Sequence, residues 1–296
     1  MITSDALIDG VHFLSGATAP RAIGHRAMAA NLSDVAAMGA RPVLATIALG
    51  VAPGTSEEWI LECYRGMAAL AARERTRIVG GDIVRAPALT LALTLVGEVA
   101  PSRLKRRDGG KPGDMVAVSG PLGASRAGLQ IVRNAPEVEA SARAAALAAY
   151  ETPEPRVREG RWLAASRNVH AMMDSSDGLS TDLARLAAAS GCGATIEHVP
   201  VHPAAEAVAR AAGADPAEYA LDGGEDFELI VAIAPRAFAY LSTHFERRFG
   251  RPLLAVGRLD VTPGLHLREA GGERELPAGG YDHLRPASEV AEAVRG

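Results

Sequence analysis

The chain has 296 residues, 48% of them apolar, enough for one large domain or two ordinary ones around real cores. Its net charge is −4 and its one basic cluster, "RLKRRDGGK" (103–111), is too short for a nucleic-acid footprint, so no nucleic-acid partner is expected. Two cysteines without a CxxC pairing exclude a disulfide or zinc framework, and the lack of an 18-residue apolar run or a leader predicts a soluble, cytoplasmic protein with no membrane partner.

The elements alternate. A first strand, "MITSDALI", carries Asp5, and His12 follows it. The spacing of Ile23, Ala27, Ala30 and Val35 predicts a one-faced helix over 22–39, stopped by Gly39. "PVLATIALGV" (42–51) reads as a strand. A helix over 56–74 repeats Trp59, Cys63, Met67 and Leu70, with Thr55 or Ser56 as cap and Glu57 and Glu58 in the first turn. Strands at 77–82 and 89–99 close this half.

The Gly-, Pro- and charge-rich stretch 105–114 predicts a domain boundary, giving units 1–110 and 111–296. Beyond it, "MVAVSG" (115–120) restarts the strands, with helices at about 124–133, 138–150 and 156–168. Residues 171–190 read as strand, polar turn and helix. "ATIEHV" follows as a strand, 203–213 as a helix, 226–234 as a strand, 235–248 as a helix and 253–259 as a strand. Two α/β units with mixed rather than strictly parallel sheets are predicted. Trp59 and Trp162 sit at helical periods and read as packing residues.

Nucleotide-binding signatures with a Lys-bearing phosphate loop, or GxGxxG on a strand–helix turn, are absent, as are HExxH, GxSxG and kinase motifs. Aspartates instead stand at element ends beside small residues: Asp5, Asp34, Asp82, Asp174 and Asp177. Magnesium takes oxygen ligands, typically one or two carboxylates per ion plus substrate phosphates. Such a set suits a nucleoside triphosphate held through metal, with glycines letting backbone approach a phosphate. Each aspartate alone reads more readily as an ordinary turn or cap residue.

Seven segments, "DGVHFL", "NLSDVAAMGARP", "IVGGD", "KPGDMVAVSGPLGASRAGL", "DSSDGLSTDL", "GGEDFEL" and "GYDH", occur in this order. Together they resemble the thiamine-monophosphate kinase family. Its superfamily also holds aminoimidazole ribonucleotide synthetase, selenide water dikinase and a hydrogenase maturation protein. The resemblance runs from residue 1 to about 285.

It implies a PurM-like fold, with the N-terminal units of two subunits forming a shared β-barrel and the site lying between the two units. It implies transfer of the γ-phosphoryl group of ATP to thiamine monophosphate, with two or more Mg²⁺ ions. By motif match, Thr3, Ser4, Asp5, Asp34, Asp82, Asp174 and Asp177 fall on metal positions. Gly81, Arg107 and Ser176 fall on ATP positions, and His12, Glu225 and Tyr281 on substrate positions. The acceptor is already an anionic phosphate oxygen, so no general base is expected; positioning and charge neutralisation carry the chemistry.

Two other readings stay open: another ATP-dependent enzyme of the superfamily, and a weakened protein that binds nucleotide or thiamine phosphate without turnover. The chain also departs from the family pattern. It reads "GGDI" where "GGDT" is usual, and Asp222 stands before "GGED". It lacks the usual "GDDAAV"-like segment ahead of its first strand. A barrel short of an edge strand and a site short of one carboxylate are expected from that.

Overall fold

In the computed structural model, residues 1–277 and 279–280 are described. The first half forms β1 (Ile2–Ile8), α1 (Pro20–Ala37), β2 (Arg41–Val51), α2 (Glu57–Arg73), β3 (Arg77–Arg85) and β4 (Thr90–Glu98). Alternation drives these strands: in β4, Leu91, Leu93 and Leu95 are fully buried while Ala92 and Thr94 between them are only half-covered. The four strands make one sheet in the order β1-β4-β2-β3, with β2–β3 parallel and the other pairs antiparallel. β1 and β3 are therefore edges.

The second half contributes β5 (Met115–Val118), α3 (Ala124–Asn134), α4 (Ala140–Glu151), α5 (Val157–Ala164), β6 (Val169–Asp174), α6 (Leu179–Ala189) and β7 (Gly193–Ile196). It continues with α7 (Pro203–Ala211), α8 (Pro216–Asp222), β8 (Leu229–Ile233), α9 (Pro235–Phe249), β9 (Leu254–Asp260), β10 (Leu265–Glu269) and β11 (Gly272–Glu275). Its seven strands run β11-β10-β7-β9-β5-β8-β6, mixed in direction.

The predicted one-faced helix over 22–39 forms but is buried nearly all round, because α1 lies between the two sheets. One core joins Ile23, Met28, Leu32 and Val35 of α1 to Leu93 and Leu95 of β4 and to Val169, Val231 and Ile233 of the second sheet. Small residues make this possible. A Cβ on Gly24 would lie 1.9 Å from the Cys63 carbonyl oxygen of α2, so only glycine lets these helices meet so closely. Ser56 caps α2 as predicted, accepting from the Trp59 N–H at 3.2 Å.

Other elements differ from expectation. The helix predicted over 156–168 stops at Ala164. α8 and the β10–β11 hairpin were not foreseen, and the strand predicted from 226 begins only at Leu229. The irregular 105–114 stretch is partly tied down: Lys105 Nζ donates to the carbonyls of Ser166 (2.9 Å) and Val169 (2.7 Å). Trp162 packs edge-on against Phe245 and Phe249. Both cysteines are free and buried. Among the described residues no helix is long and apolar enough to cross a membrane.

Candidate active site

Three element ends meet where α1 passes between the sheets. β1 brings Thr3 and Asp5 on the face that looks toward α1, since strand residues two apart share a face. α1 brings Ser33 and Asp34, and β6 ends on Asp174. The Thr3 hydroxyl donates to Asp34 Oδ2, and Asp5 and Asp34 share a hydrogen bond. Ser33 Oγ donates to Asp174 Oδ2 at 2.5 Å. The turn after β6 is shaped by Asp182, wholly buried in the first turn of α6, whose Oδ2 accepts from the N–H groups of Ser176 and Asp177, both at 2.9 Å. Arg185 pairs with Asp177 and Asp182.

This crowding shows in the acidities. Burial, then the charge of Asp34 and a hydrogen bond with it, then the charge of Asp177, push Asp5 up to about 6. Burial raises Asp34 against its hydrogen bonds from Thr3 and Asp5. Burial and the Asp34 charge raise Asp174 well above the carboxylate range. Burial also takes Asp182 to about 6.

The donor set is all oxygen, and a divalent cation would relieve the repulsion that holds these protons on. Among the described residues no three Asp, Glu, His or Cys side chains already converge as an all-protein cage. An ion held here would therefore complete its shell with water and substrate phosphates, as magnesium does. The residues present therefore fit such an ion.

The remaining candidates are distributed. Ser4 turns to the opposite face of the sheet, where its Oγ donates to the Leu93 carbonyl at 3.0 Å. Gly81 and Asp82 lie on the far edge strand. The register Asp5–Leu93–Ile47–Gly81 puts Gly81 in the row of Asp5, and Ala6–Ala92–Ala48–Asp82 puts Asp82 in the next row, on the other face. The exposed Asp82 carboxylate accepts from the Ile83 N–H at 2.9 Å, and it is not brought together with the Asp5 cluster. A Cβ on Gly81 would lie 1.8 Å from the Ile47 carbonyl oxygen, so the glycine there is fixed by packing. Arg107 is exposed in the connector, where its carbonyl accepts from Ser190 Oγ.

Ser176 forms the turn and accepts at its carbonyl from the Glu225 N–H at 2.8 Å. His12 Nδ1 accepts from the Ile8 N–H at 3.1 Å. Glu225 pairs with Arg26 of α1. Tyr281 lies outside the described residues. Arg26, Ser33 and Asp182 were not singled out from the sequence. Of these only Asp182 carried a local signal, as an acidic residue in a first helical turn.

Arg26 and Asp34 are eight residues apart on one helix, so the Glu225 end and the acidic end are set about 12 Å apart along its axis. The site thus has carboxylates at one end and a charged hydrogen-bonding pair at the other, on a frame of two sheets sharing one buried helix.

Comparison with known proteins agrees with that frame. Residues 1–99 match AIR synthase related protein, N-terminal domain, and residues 111–240 match AIR synthase related protein, C-terminal domain. Thiamine-monophosphate kinase of Synechococcus elongatus is 36% identical over 274 residues, covering 90% of this chain and 81% of that protein. The crystal structure of thiamine-monophosphate kinase from Stenotrophomonas maltophilia superposes with a TM-score of 0.82 at 35% identity, covering 90% of this chain and 84% of that one. AaThiL, solved with AMPPCP and TMP, gives 0.83 at 30% identity, covering 96% and 86%. The chain belongs to the thiamine-monophosphate kinase family.

Proposed function

We propose that this protein transfers the γ-phosphoryl group of ATP to thiamine monophosphate, giving thiamine diphosphate and ADP. The observation that carries the reading is the meeting of Thr3, Asp5, Asp34 and Asp174 at one end of the site and of Glu225 and His12 at the other. AaThiL, which shares this fold, binds TMP and AMPPCP, an ATP analogue, in one complex.

In this reading Asp5, Asp34, Asp174 and Asp177, with Thr3 and the Ser4 main chain, would hold Mg²⁺. When bound, the ions supply neutralisation of the phosphate charge. Asp82 enters this set only through its match to the "GGD" motif, since it stands on the other face of the sheet from Asp5. Gly81, Arg107 and the Ser176 turn would meet ATP, the arginine through its guanidinium fork. His12 and Glu225 would hold thiamine monophosphate, and Tyr281 completes the proposed substrate set. No side chain needs to take a proton from the acceptor, because a phosphate oxygen is anionic near neutral pH.

The same proposal gives units 1–110 and 111–296, the first for metal, ATP and dimerisation, and a cytoplasmic site of action. The decisive experiment is product analysis after incubation with ATP, Mg²⁺ and thiamine monophosphate. Thiamine diphosphate is expected. Binding of both substrates without product would leave a binding protein, and binding of neither would reject the family's reaction for this chain.

A homodimer belongs to this reading too. The face of the first sheet turned away from α1 carries the exposed Ile2 and Val84, at 71% and 53% exposure, on its two edge strands. Joining two such faces covers both. Light scattering is expected to give twice the chain mass, and Val84→Glu to give the single chain mass; a wild-type monomer at micromolar concentration would reject the barrel.

A further inference from the structure

Arg26 is an unusual residue to find inside α1. Its side chain is 1% exposed, and a buried guanidinium is costly unless its neighbours hold it. Its Nη2 donates to Glu225 Oε2 and also to the main-chain carbonyl of His12, at 2.9 Å. Its Cζ lies 4.2 Å from the centre of the Tyr150 ring, so the guanidinium plane is seated on an aromatic face. Nε and Nη1 meet no hydrogen-bond acceptor among the described residues. One side chain therefore joins three segments distant in sequence: the turn after β1, the end of α4 and the glycine loop after α8.

That loop is strained where it matters. Glu225 and Phe227 sit at φ values of 64° and 51°, a region that suits glycine better than either. Its main chain is pinned on both sides. Between those two residues Asp226, half-buried, accepts from the N–H groups of Gly123 (2.5 Å) and Ser125 (3.0 Å) at the start of α3. The Glu225 N–H donates to Ser176. These bonds fix where the loop runs. The contact that fixes where the Glu225 carboxylate points is Arg26.

We propose that Arg26 is a positioning residue for the substrate end of the site. It aims the Glu225 carboxylate and ties it to the turn that carries His12, so that both stand ready before thiamine monophosphate arrives. The inference rests on the reading that Glu225 and His12 meet that substrate. A lysine keeps the charge but has neither the planar fork nor the stacked seat on Tyr150, so charge alone does not replace it.

The test is steady-state kinetics with each substrate varied separately, beside thermal melts, for Arg26→Lys, Glu225→Gln and the double variant. Arg26→Lys is expected to raise KM for thiamine monophosphate about tenfold while KM for ATP stays within about twofold. Glu225→Gln is expected to act likewise, and the double variant to be no worse than the stronger single one, since both remove one device. An unchanged KM for thiamine monophosphate in Arg26→Lys, a parallel rise in both KM values, or effects that multiply in the double variant would overturn the proposal. Should Arg26→Lys not fold, Tyr150→Leu removes the seat under the guanidinium and is judged by the same split between the two KM values. A wild-type chain that makes no thiamine diphosphate rejects the reaction itself, whereas an active wild type with an indifferent Arg26 rejects only the positioning role.

Discussion

Asp34→Asn is expected to lower kcat/KM for thiamine monophosphate by roughly 10³-fold, on the scale of removing one preorganised charge-stabilising group, while making the ligand-free protein more heat-stable at neutral pH. The two effects have one cause. Asp34 touches Thr3 and Asp5, and its charge bears on Asp174. The folded chain holds these groups where ionising them is unfavourable, and the proposed reaction needs them ionised around a cation. Asp5, at about 6 against 3.8 when free, binds its proton more tightly folded than unfolded. Its stabilising contribution is therefore complete below about pH 4 and lost as pH rises through about 6. For a two-unit shift in a pair that shares one proton, that loss is about 1–3 kcal/mol. Asp5→Asn should flatten the fall in melting temperature between pH 4 and pH 7, and added Mg²⁺ should raise the wild-type melting point at pH 7.5 but not that of Asp34→Asn. A wild-type protein whose melting point ignores Mg²⁺, or an Asp34→Asn variant less stable than wild type at pH 7.5, would show that the cluster is not a strained cation site.

The strands and the amphipathic α2 were legible because each obeys a local rule, alternation in β4 or a capped helical period in α2. α1 was legible as a helix but not as a buried one. Its alanines and Gly24 give no clean apolar face, because all its sides meet protein. The aspartates at strand and helix ends could be read as candidates from residue type and neighbouring small residues, and Asp5, Asp34, Asp174 and Asp177 do interact. Asp82 looked equivalent on the same grounds. The strand register decides its direction, and register depends on three pairings that no local pattern states.

Arg26 failed to stand out for a related reason. Its meaning comes from Glu225, 199 residues further on. The "GGEDFELIVAIA" run misled in the opposite direction: its apolar content predicts a strand from 226, but the left-handed Glu225 and Phe227 and the inward turn of Asp226 and Glu228 keep the chain irregular until Leu229. The residues that break the strand are those that build the site and its support.

Glu228→Gln is expected to cost about 3–5 kcal/mol of folding stability with almost no change in side-chain volume. Burial alone would raise the Glu228 carboxyl, but the charges of Arg156 and Arg251 and a hydrogen bond from Ser119 outweigh it and hold it below the ordinary glutamate range. Oε1 takes Arg156 at 2.6 Å and Arg251 at 2.9 Å, and Oε2 accepts from Ser119 Oγ. One carboxylate thus fastens β8 to the start of α5 and to the loop before β9. Removing its charge leaves two arginines, each about a fifth exposed, facing each other, with Glu159, 3.4 Å from Arg251, as the remaining paired carboxylate. The pH signature has the opposite sign to that of the acidic cluster. A depressed carboxyl contributes stability above its unfolded value near 4.5 and loses it as pH falls through the folded one, so Glu228 weakens the protein in acid while Asp5 strengthens it. Denaturant unfolding at pH 7 measures the first effect. Replacing all three partners together (Glu228→Leu with Arg156→Met and Arg251→Met) separates pairing from packing, and should recover most of the loss. The Glu228 carbonyl accepts from the Ser175 N–H at 2.7 Å, directly after Asp174, so the network also supports the site. Glu228→Gln protein kept folded at low temperature should then show a weakened melting-point response to Mg²⁺. A full response with a 3–5 kcal/mol loss of stability would confine Glu228 to the fold.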